Sequence, residues 1–313
     1  MRLLLAAALL ILSMPAQARN PKAGTSAAQF LKLGAGSRAG GMGEAYSAVA
    51  DDAYAVYYNP AALTRLSGAQ IAAAHTQHFQ DIKYEFAAFA VPMGKQKDFS
   101  RGVLALSIYN LSVNDISRRI DDTENDLGKF DAGDYSYNVT YAHSVSRSVR
   151  LGLTGKLIHQ VIDTYKADAV AADAGVLFIP RPEDPKTLSF SMVVKNVGTK
   201  PSFAGVTDPL PVGVVAGVGY EPLPKRFKMD LDIVKYRDTD LFALAGAEYV
   251  VPFGPDIGGA LRGGFTTHRI KNEGFNEMTL GVGINFHRAS FDFSWAPYGA
   301  LGNTFRYSLL VRF

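Results

Sequence analysis

From about residue 69 to the C-terminus, apolar and polar positions alternate with a period of two. In the segment 135–142, Tyr135, Tyr137, Val139 and Tyr141 share one side, and Ser136, Asn138, Thr140 and Ala142 share the other. Successive side chains of a strand point to opposite faces, so the segment has one apolar face and one polar or small face. Likewise Phe227, Met229, Leu231 and Ile233 oppose Lys228, Asp230 and Asp232, and Met278, Leu280, Val282, Ile284 and Phe286 oppose Thr279, Gly281, Gly283 and Asn285. The rhythm predicts strands over 69–79, 84–91, 101–111, 135–144, 149–161, 169–178, 188–196, 211–220, 227–236, 241–250, 257–268, 277–286, 289–296 and 305–313. That makes about fourteen, an even number as bacterial single-chain barrels have, and most approach the ~9–11 residues of a tilted membrane strand. Short or proline-bearing turns (92–94, 146–148, 180–186, 221–226, 252–255, 287–288) alternate with longer connections led by 112–134, which suits a barrel whose N-terminal side faces the periplasm. The expected fold is all-β: a transmembrane antiparallel β-barrel of about 14 strands.

A soluble β-sandwich would also alternate. Two features favour the barrel. Aromatic residues at strand ends (Tyr84, Tyr109, Tyr135, Tyr220, Tyr236, Tyr249, Trp295 and Tyr298) fit interfacial girdles. The last strand places Phe305, Tyr307, Leu309, Val311 and the terminal Phe313 at every second position, with Arg306, Ser308 and Arg312 opposite and Leu310 breaking the polar row. That ending resembles the signal read by the outer-membrane barrel assembly machinery, which is expected as a partner. Left exposed, such an edge invites aggregation; in a closed barrel it pairs with the first strand.

At the other end, Met1-Arg2, the apolar run Leu3–Leu12, Pro15 and the small-x-small Ala16-Gln17-Ala18 read as a signal peptide over residues 1–18. Residues 19–68 differ from both this segment and the barrel at 69–313. Between 30 and 66 they are rich in Gly and Ala, with Asp51-Asp52 able to bond backbone amides and Asn59-Pro60 as a turn former. Such a segment is expected to fold as a plug, or hatch, in the lumen, where irregular backbone is tolerated at membrane depth because protein or water surrounds it.

Composition narrows the chemistry. The chain has no Cys, which excludes disulfides and Cys metal sites, and its formal net charge of +3 over 313 residues gives no reason to expect nucleic acid as a partner. Gly34-x-Gly36-x-x-x-Gly40 is not a dinucleotide or phosphate-loop spacing. His75 and His78 are three apart in a strand, hence on opposite faces, and no Gly-x-Ser-x-Gly elbow occurs. No catalytic residue and no cofactor are expected, and the chain is not read as an enzyme. No metal site is assigned; Asp122, Glu124 and Asp126 alternate oxygen ligands in a manner that could take Ca²⁺, against the competing reading of a solvated acidic loop. Inward charges such as Lys156, Lys195, Lys228, Asp230, Asp232, Arg262, Asp292, Arg306 and Arg312 either tie the plug to the wall or line water. Arg38, Asp51 and Asp52 are the plug's own charges, expected to bridge to the lumen and to the plug backbone. Gly213, Gly217, Gly219, Gly281 and Gly283 either kink strands or make room for the plug.

The stretch GAGSRAGGMGEAYSAVADDAYAVYYNPAAL resembles the N-terminal signature of the PorV/PorQ (UPF0164) family of outer-membrane proteins, relatives of the FadL-type long-chain fatty-acid transporters. The residues that carry the resemblance are Gly34, Gly36, Arg38, Gly40, Gly43, Asp51, Asp52, Asn59, Pro60 and Ala61. The resemblance implies a fourteen-stranded barrel plugged by an N-terminal hatch with an Asn-Pro-Ala element, placed in the cell outer membrane against lipid and lipopolysaccharide. It implies a protein-binding role in secretion or surface attachment of the type IX kind, with secreted proteins or secretion subunits as partners. The alternative is a FadL-like channel for hydrophobic small molecules such as long-chain fatty acids.

Overall fold

The computed structural model describes residues 20–94, 102–119, 127–184, 186–268 and 277–313. The expected signal peptide at 1–18 and the calcium candidates Asp122, Glu124 and Asp126 lie outside them. Fourteen strands close into one antiparallel barrel: β1 Gln70–Gln77, β2 Lys83–Pro92, β3 Gly102–Ser117, β4 Lys129–Ser144, β5 Val149–Ile162, β6 Tyr165–Phe178, β7 Thr187–Gly198, β8 Gly213–Leu223, β9 Phe227–Tyr236, β10 Phe242–Pro252, β11 Ile257–Thr266, β12 Met278–Phe286, β13 Ala289–Pro297 and β14 Asn303–Arg312. Each strand pairs with its sequence neighbours, and β14 pairs with β1 from Gln70↔Arg312 to Gln77↔Phe305, so the ladder has no free edge. A small hairpin, Ser202–Phe203 with Val206–Thr207, decorates the β7–β8 connection. The end where β1 begins and β14 finishes is called the inner end below, and the opposite one the outer end.

The wall is inside-out relative to a soluble protein. On β5, Leu153 is 63% exposed on the outer surface, whereas Lys156 is 4% exposed in the lumen. Outward Leu151, Leu157, Leu261, Leu280, Ile284 and Leu309 extend this apolar surface around the barrel, an area that only lipid tolerates.

Two sequence expectations need correction. The strands expected at 101–111 and 135–144 run on as β3 to Ser117 and from Lys129 in β4, and β6 starts at Tyr165. A register shift between Val113 and Ile116 flips the parity of β3, and beyond it the two-residue rhythm no longer reads as a strand. Tyr84, Tyr109 and Tyr236 do not belong to an outer girdle; all three are buried inside the barrel. The hydroxyl of Tyr84 donates to the carbonyl of Leu33 (3.2 Å), and the Tyr109 ring stacks on Phe86 and meets Tyr57 edge-on. A filled lumen makes the inner face apolar too, so composition alone does not tell the two faces of β2 apart.

The filling is the N-terminal segment. It contains a 3₁₀ turn Gln29–Lys32, helix α1 Ser37–Gly41, helix α2 Ala55–Tyr58 and a 3₁₀ turn Pro60–Arg65. Gly36 (φ +81°) and Gly43 (φ +66°) bracket α1 in the left-handed region, where a side chain is strained. The Asn59 side chain caps the last turn by accepting from the amide of Ala61 (3.0 Å), and Pro60 takes the first position, where no amide donor is needed. Wall glycines mark where plug backbone arrives: Gly246 and Gly264 face Met42 and Gly43, Gly281 faces Gly41, and Gly152 and Gly175 face Pro60 and Asn59. Gly217 and Gly219 make room for Ser47 to Val49; Gly213 and Gly283 accommodate Tyr236 and the Arg262–Asp292 pair of the wall itself. All five of the glycines expected to kink or to make room lie outside the left-handed region, and each acts by making room.

A side chain at position 264 would occupy the path of Met42 and Gly43. Gly264→Val is expected to destabilise the folded barrel by about 1–3 kcal/mol, read as a lower midpoint for loss of the heat-modifiable band in detergent. Gly155→Val, on the outer surface where an added Cβ meets nothing within 4 Å, is the control and leaves the midpoint no lower.

Candidate functional site

An irregular segment at membrane depth must satisfy its own backbone. Here the wall supplies the acceptors. Asp232 Oδ2 accepts from the amides of Tyr46 and Ser47 (both 3.1 Å), and Asp230 Oδ2 from those of Ala48 (3.0 Å) and Val49 (3.2 Å). Two inward carboxylates of β9 thus receive four successive plug amides. Ser47 Oγ also donates to Asp232 Oδ1 and lies 2.5 Å from Ser191 Oγ on β7. Farther along, Ala53 N donates to Gln70 Oε1 (3.0 Å), Tyr54 Oη to the carbonyls of Ala73 and Leu309, and Asn59 Nδ2 to the carbonyl of Val176.

The charged centre is Arg38 on α1. Its Nη1 lies 2.6 Å from Asp51 Oδ1 and 2.9 Å from Asp52 Oδ2, while Nε and Nη2 form a two-point contact with Glu248 of β10 at 2.8 and 2.7 Å. Glu248 in turn accepts from Arg262 of β11, which reaches Asp292 of β13, and Lys228 of β9 binds Asp51. Asp52 is further held by Tyr46 Oη (2.7 Å) and caps Tyr54 N. Three cations and four carboxylates therefore join the plug to strands β9, β10, β11 and β13. A second tie runs from Glu44 to Arg306 of β14 (2.6 Å). A third holds the outer end, where Gln29 Nε2 and Lys32 Nζ bind Asp238 in the β9–β10 loop at 2.8 and 3.0 Å. Burial raises the Asp238 pKa, but the Gln29 and Lys32 hydrogen bonds and the Lys32 charge outweigh it and hold the carboxyl below its usual range. A folded-state pKa below the unfolded one means that this tie is complete above about pH 4 and is lost as pH falls through the lowered value.

The other motif residues have steric roles. Gly34 passes Glu44 and Tyr58 too closely for a Cβ, and Gly40 passes Ser294 and Arg306. Pro60 and Ala61 lie against Gly152 of β5. Of the inward charges, Lys156 binds Asp173 (2.7 Å), Lys195 sits 4.0 Å above the Tyr57 ring, and Arg312 donates to Ser290 (2.7 Å). His75 faces outward to Glu85 and His78 inward to Thr304; among the described residues no three potential ligands gather into a metal site. Phe305, Tyr307, Leu309 and Val311 form the outward row of β14, and the amide of Phe313 donates to the carbonyl of Ala69. Sequence reasoning missed Glu248 and Glu44. Position 248 shares parity with Phe242, Leu244 and Gly246 on β10, so a lone carboxylate on that inward row was the available signal.

The plug divides the lumen. Toward the outer end lies a cavity of about 330 Å³ walled by Leu33, Tyr57, Tyr58, Val215, Val234, Tyr236, Phe242 and Leu244, with Lys195, Glu44 and Asp232 at its edges. Toward the inner end two polar cavities of about 350 and 330 Å³ share Asp51, Arg65, Glu221 and Lys228.

The model of an uncharacterised protein family, UPF0164, matches residues 7–113. No curated protein matches the sequence. Among solved structures, the chain resembles the toluene transporter TbuX of Ralstonia pickettii (11% identity, 90% of this chain and 98% of that one, TM-score 0.59). It also resembles the toluene transporter TodX of P. putida (9%, 90% and 99%, TM-score 0.57) and the monoaromatic hydrocarbon channel CymD (11%, 90% and 98%, TM-score 0.58). At such identities the likeness speaks of the fold alone: a closed antiparallel β-barrel that these channels share.

Removing Arg38 leaves Glu248 and Asp52 short of a partner in a desolvated site. Arg38→Ala is expected to cost about 3–5 kcal/mol and to raise single-channel conductance in planar bilayers. Pairing Arg38→Met with Glu248→Leu should cost less than the two single changes summed; additive losses and unchanged conductance would refute the network.

Proposed function

We propose that this chain, whose N-terminal region matches the UPF0164 model and whose barrel resembles those of hydrocarbon channels, is an outer-membrane channel for small hydrophobic molecules. The outer cavity carries this reading. It is a concave space inside a plugged barrel whose wall combines aromatic and aliphatic side chains with polar ones, among them Lys32, Glu44, Lys195 and Asp232, and small-molecule sites usually combine an apolar wall with polar groups in this way. Its volume of about 330 Å³ suits a molecule of one or two rings better than an extended acyl chain. The similar structures, toluene transporters and a monoaromatic hydrocarbon channel, point the same way.

A path past the plug needs a wall or plug movement. The β6–β7 ladder slips between Ala172 and Ala174, at the height where Lys195 of β7 edges the cavity. A bulge at a cavity wall is where a strand can spread with the loss of few hydrogen bonds. The secretion role suggested by the signature rests on the resemblance of that segment, and among the described residues no feature of the outer rim favours it over the cavity.

Expression in a Gram-negative host without a channel of its own is expected to raise initial uptake of labelled toluene, and Val215→Trp, which fills the cavity, to return uptake to the vector level while leaving the barrel folded. Uptake equal to the empty vector from folded protein, with secreted proteins co-purifying on the barrel, would overturn the channel reading in favour of secretion.

A further inference from the structure

At the inner end, two arginines stand outside the ion pairs of the plug–wall junction. Arg38, Lys228 and Arg262 are matched by Asp51, Asp52, Glu248 and Asp292. Arg65 and Arg150 are not: among the described residues neither has a carboxylate within 4 Å, although both line the same cavity of about 330 Å³. The geometry of each suggests a poised donor. Arg65 closes the plug's last turn and is fixed by Nη1, which donates to the carbonyls of Ala48 (2.8 Å) and Ala50 (3.2 Å). Among the described residues its Nε and Nη2 have no hydrogen-bond acceptor. Arg150 projects from the inner end of β5, and its Nη1 is buried with no hydrogen-bond partner. Leaving a buried guanidinium donor unsatisfied is costly, and two guanidiniums on one cavity repel each other. The hydroxyl-bearing Thr64 and Thr187 line the same space, with Ile179 and Pro182 giving it an apolar side.

We propose that this cavity is a binding site for a small oxyanion, a carboxylate or a phosphate, held between Arg65 of the plug and Arg150 of the wall. Guanidinium forks match both groups and bind them with charge-assisted, often two-point hydrogen bonds. A ligand there bridges two parts of the molecule that otherwise repel, so its binding also fastens the plug's last turn to the barrel. Two carboxylates also line this cavity: Asp51, held by Arg38 and Lys228, and Glu221, which accepts from the backbone amide of Lys225 and sets a limit on how large a net charge the site accepts.

The test uses the full mature chain in detergent micelles, titrated calorimetrically with inorganic phosphate and, separately, with benzoate, each against chloride at equal ionic strength so that screening is matched. Saturable one-to-one binding of either anion is expected, with a rise in the heat-modification midpoint as occupancy grows. Tighter phosphate binding identifies a tetrahedral phosphate-type ligand; tighter benzoate binding identifies an organic carboxylate. Arg150→Gln, which leaves the plug's own hydrogen bonds in place, should weaken binding about tenfold or more, and Arg150→Lys should recover part of the loss. Arg312→Gln, in the neighbouring cavity, should leave affinity unchanged. Absence of saturable binding to the folded wild-type protein, or equal affinities for wild type and Arg150→Gln, overturns the proposal. Neither outcome bears on toluene uptake, which depends on the outer cavity.

Discussion

An amide or carbonyl at membrane depth must find a partner within the protein, because lipid offers none. In a closed barrel the strands meet that demand for one another. The segment inside them has no such ladder, and everything characteristic of this molecule follows from how its polar groups are met. Asp230 and Asp232 of the wall take the amides from Tyr46 to Val49, and Asn59 reaches the carbonyl of Val176 on β6. Arg38 then ties the plug's own carboxylates to Glu248 and, through it, to Arg262 and Asp292. Each of these charges would be expensive alone in a desolvated lumen; arranged in alternation they satisfy one another and fix the plug's height and rotation.

Most of the wall was legible in the sequence because lipid and lumen impose opposite demands on successive residues. The rhythm of β9, with Phe227, Met229, Leu231 and Ile233 outside and Lys228, Asp230 and Asp232 inside, is as clear in the letters as in the structure. Legibility failed where the inner demand changed. Tyr84, Phe86 and Ala88 on β2 face a protein-filled lumen, so both faces of that strand are apolar and Tyr84 looked like a girdle residue. Beyond the bulge at Val113–Ile116, β3 swaps its parity and its extension past the expected end was hidden. The plug motif was visible as a compositional oddity, and Arg38, Asp51 and Asp52 as its charges. Which wall residues answer them was not, because Glu248 stands about 200 positions away from Arg38 and nothing local pairs them.

Glycine links the two levels. A strand interior normally gains nothing from glycine, yet Gly246, Gly264 and Gly281 lie in three adjacent strands, where the backbone of Gly41 to Gly43 crosses the wall. Small residues in the plug and missing side chains in the wall are thus two halves of one contact. The same tight fit separates an aromatic outer cavity from charged inner ones, so a solute meets two different chemistries on the two sides of one thin partition.

The most direct test of this account is whether the plug sits where its hydrogen bonds require. The chain contains no native Cys, and the hydroxyls of Ser47 and Ser191 are 2.5 Å apart across the plug–wall junction. Replacing both with Cys and oxidising the protein in intact outer membranes should give near-complete cross-linking, seen as a mobility shift on non-reducing gels that reductant reverses. A folded, heat-modifiable barrel in which the two thiols stay free would contradict the account.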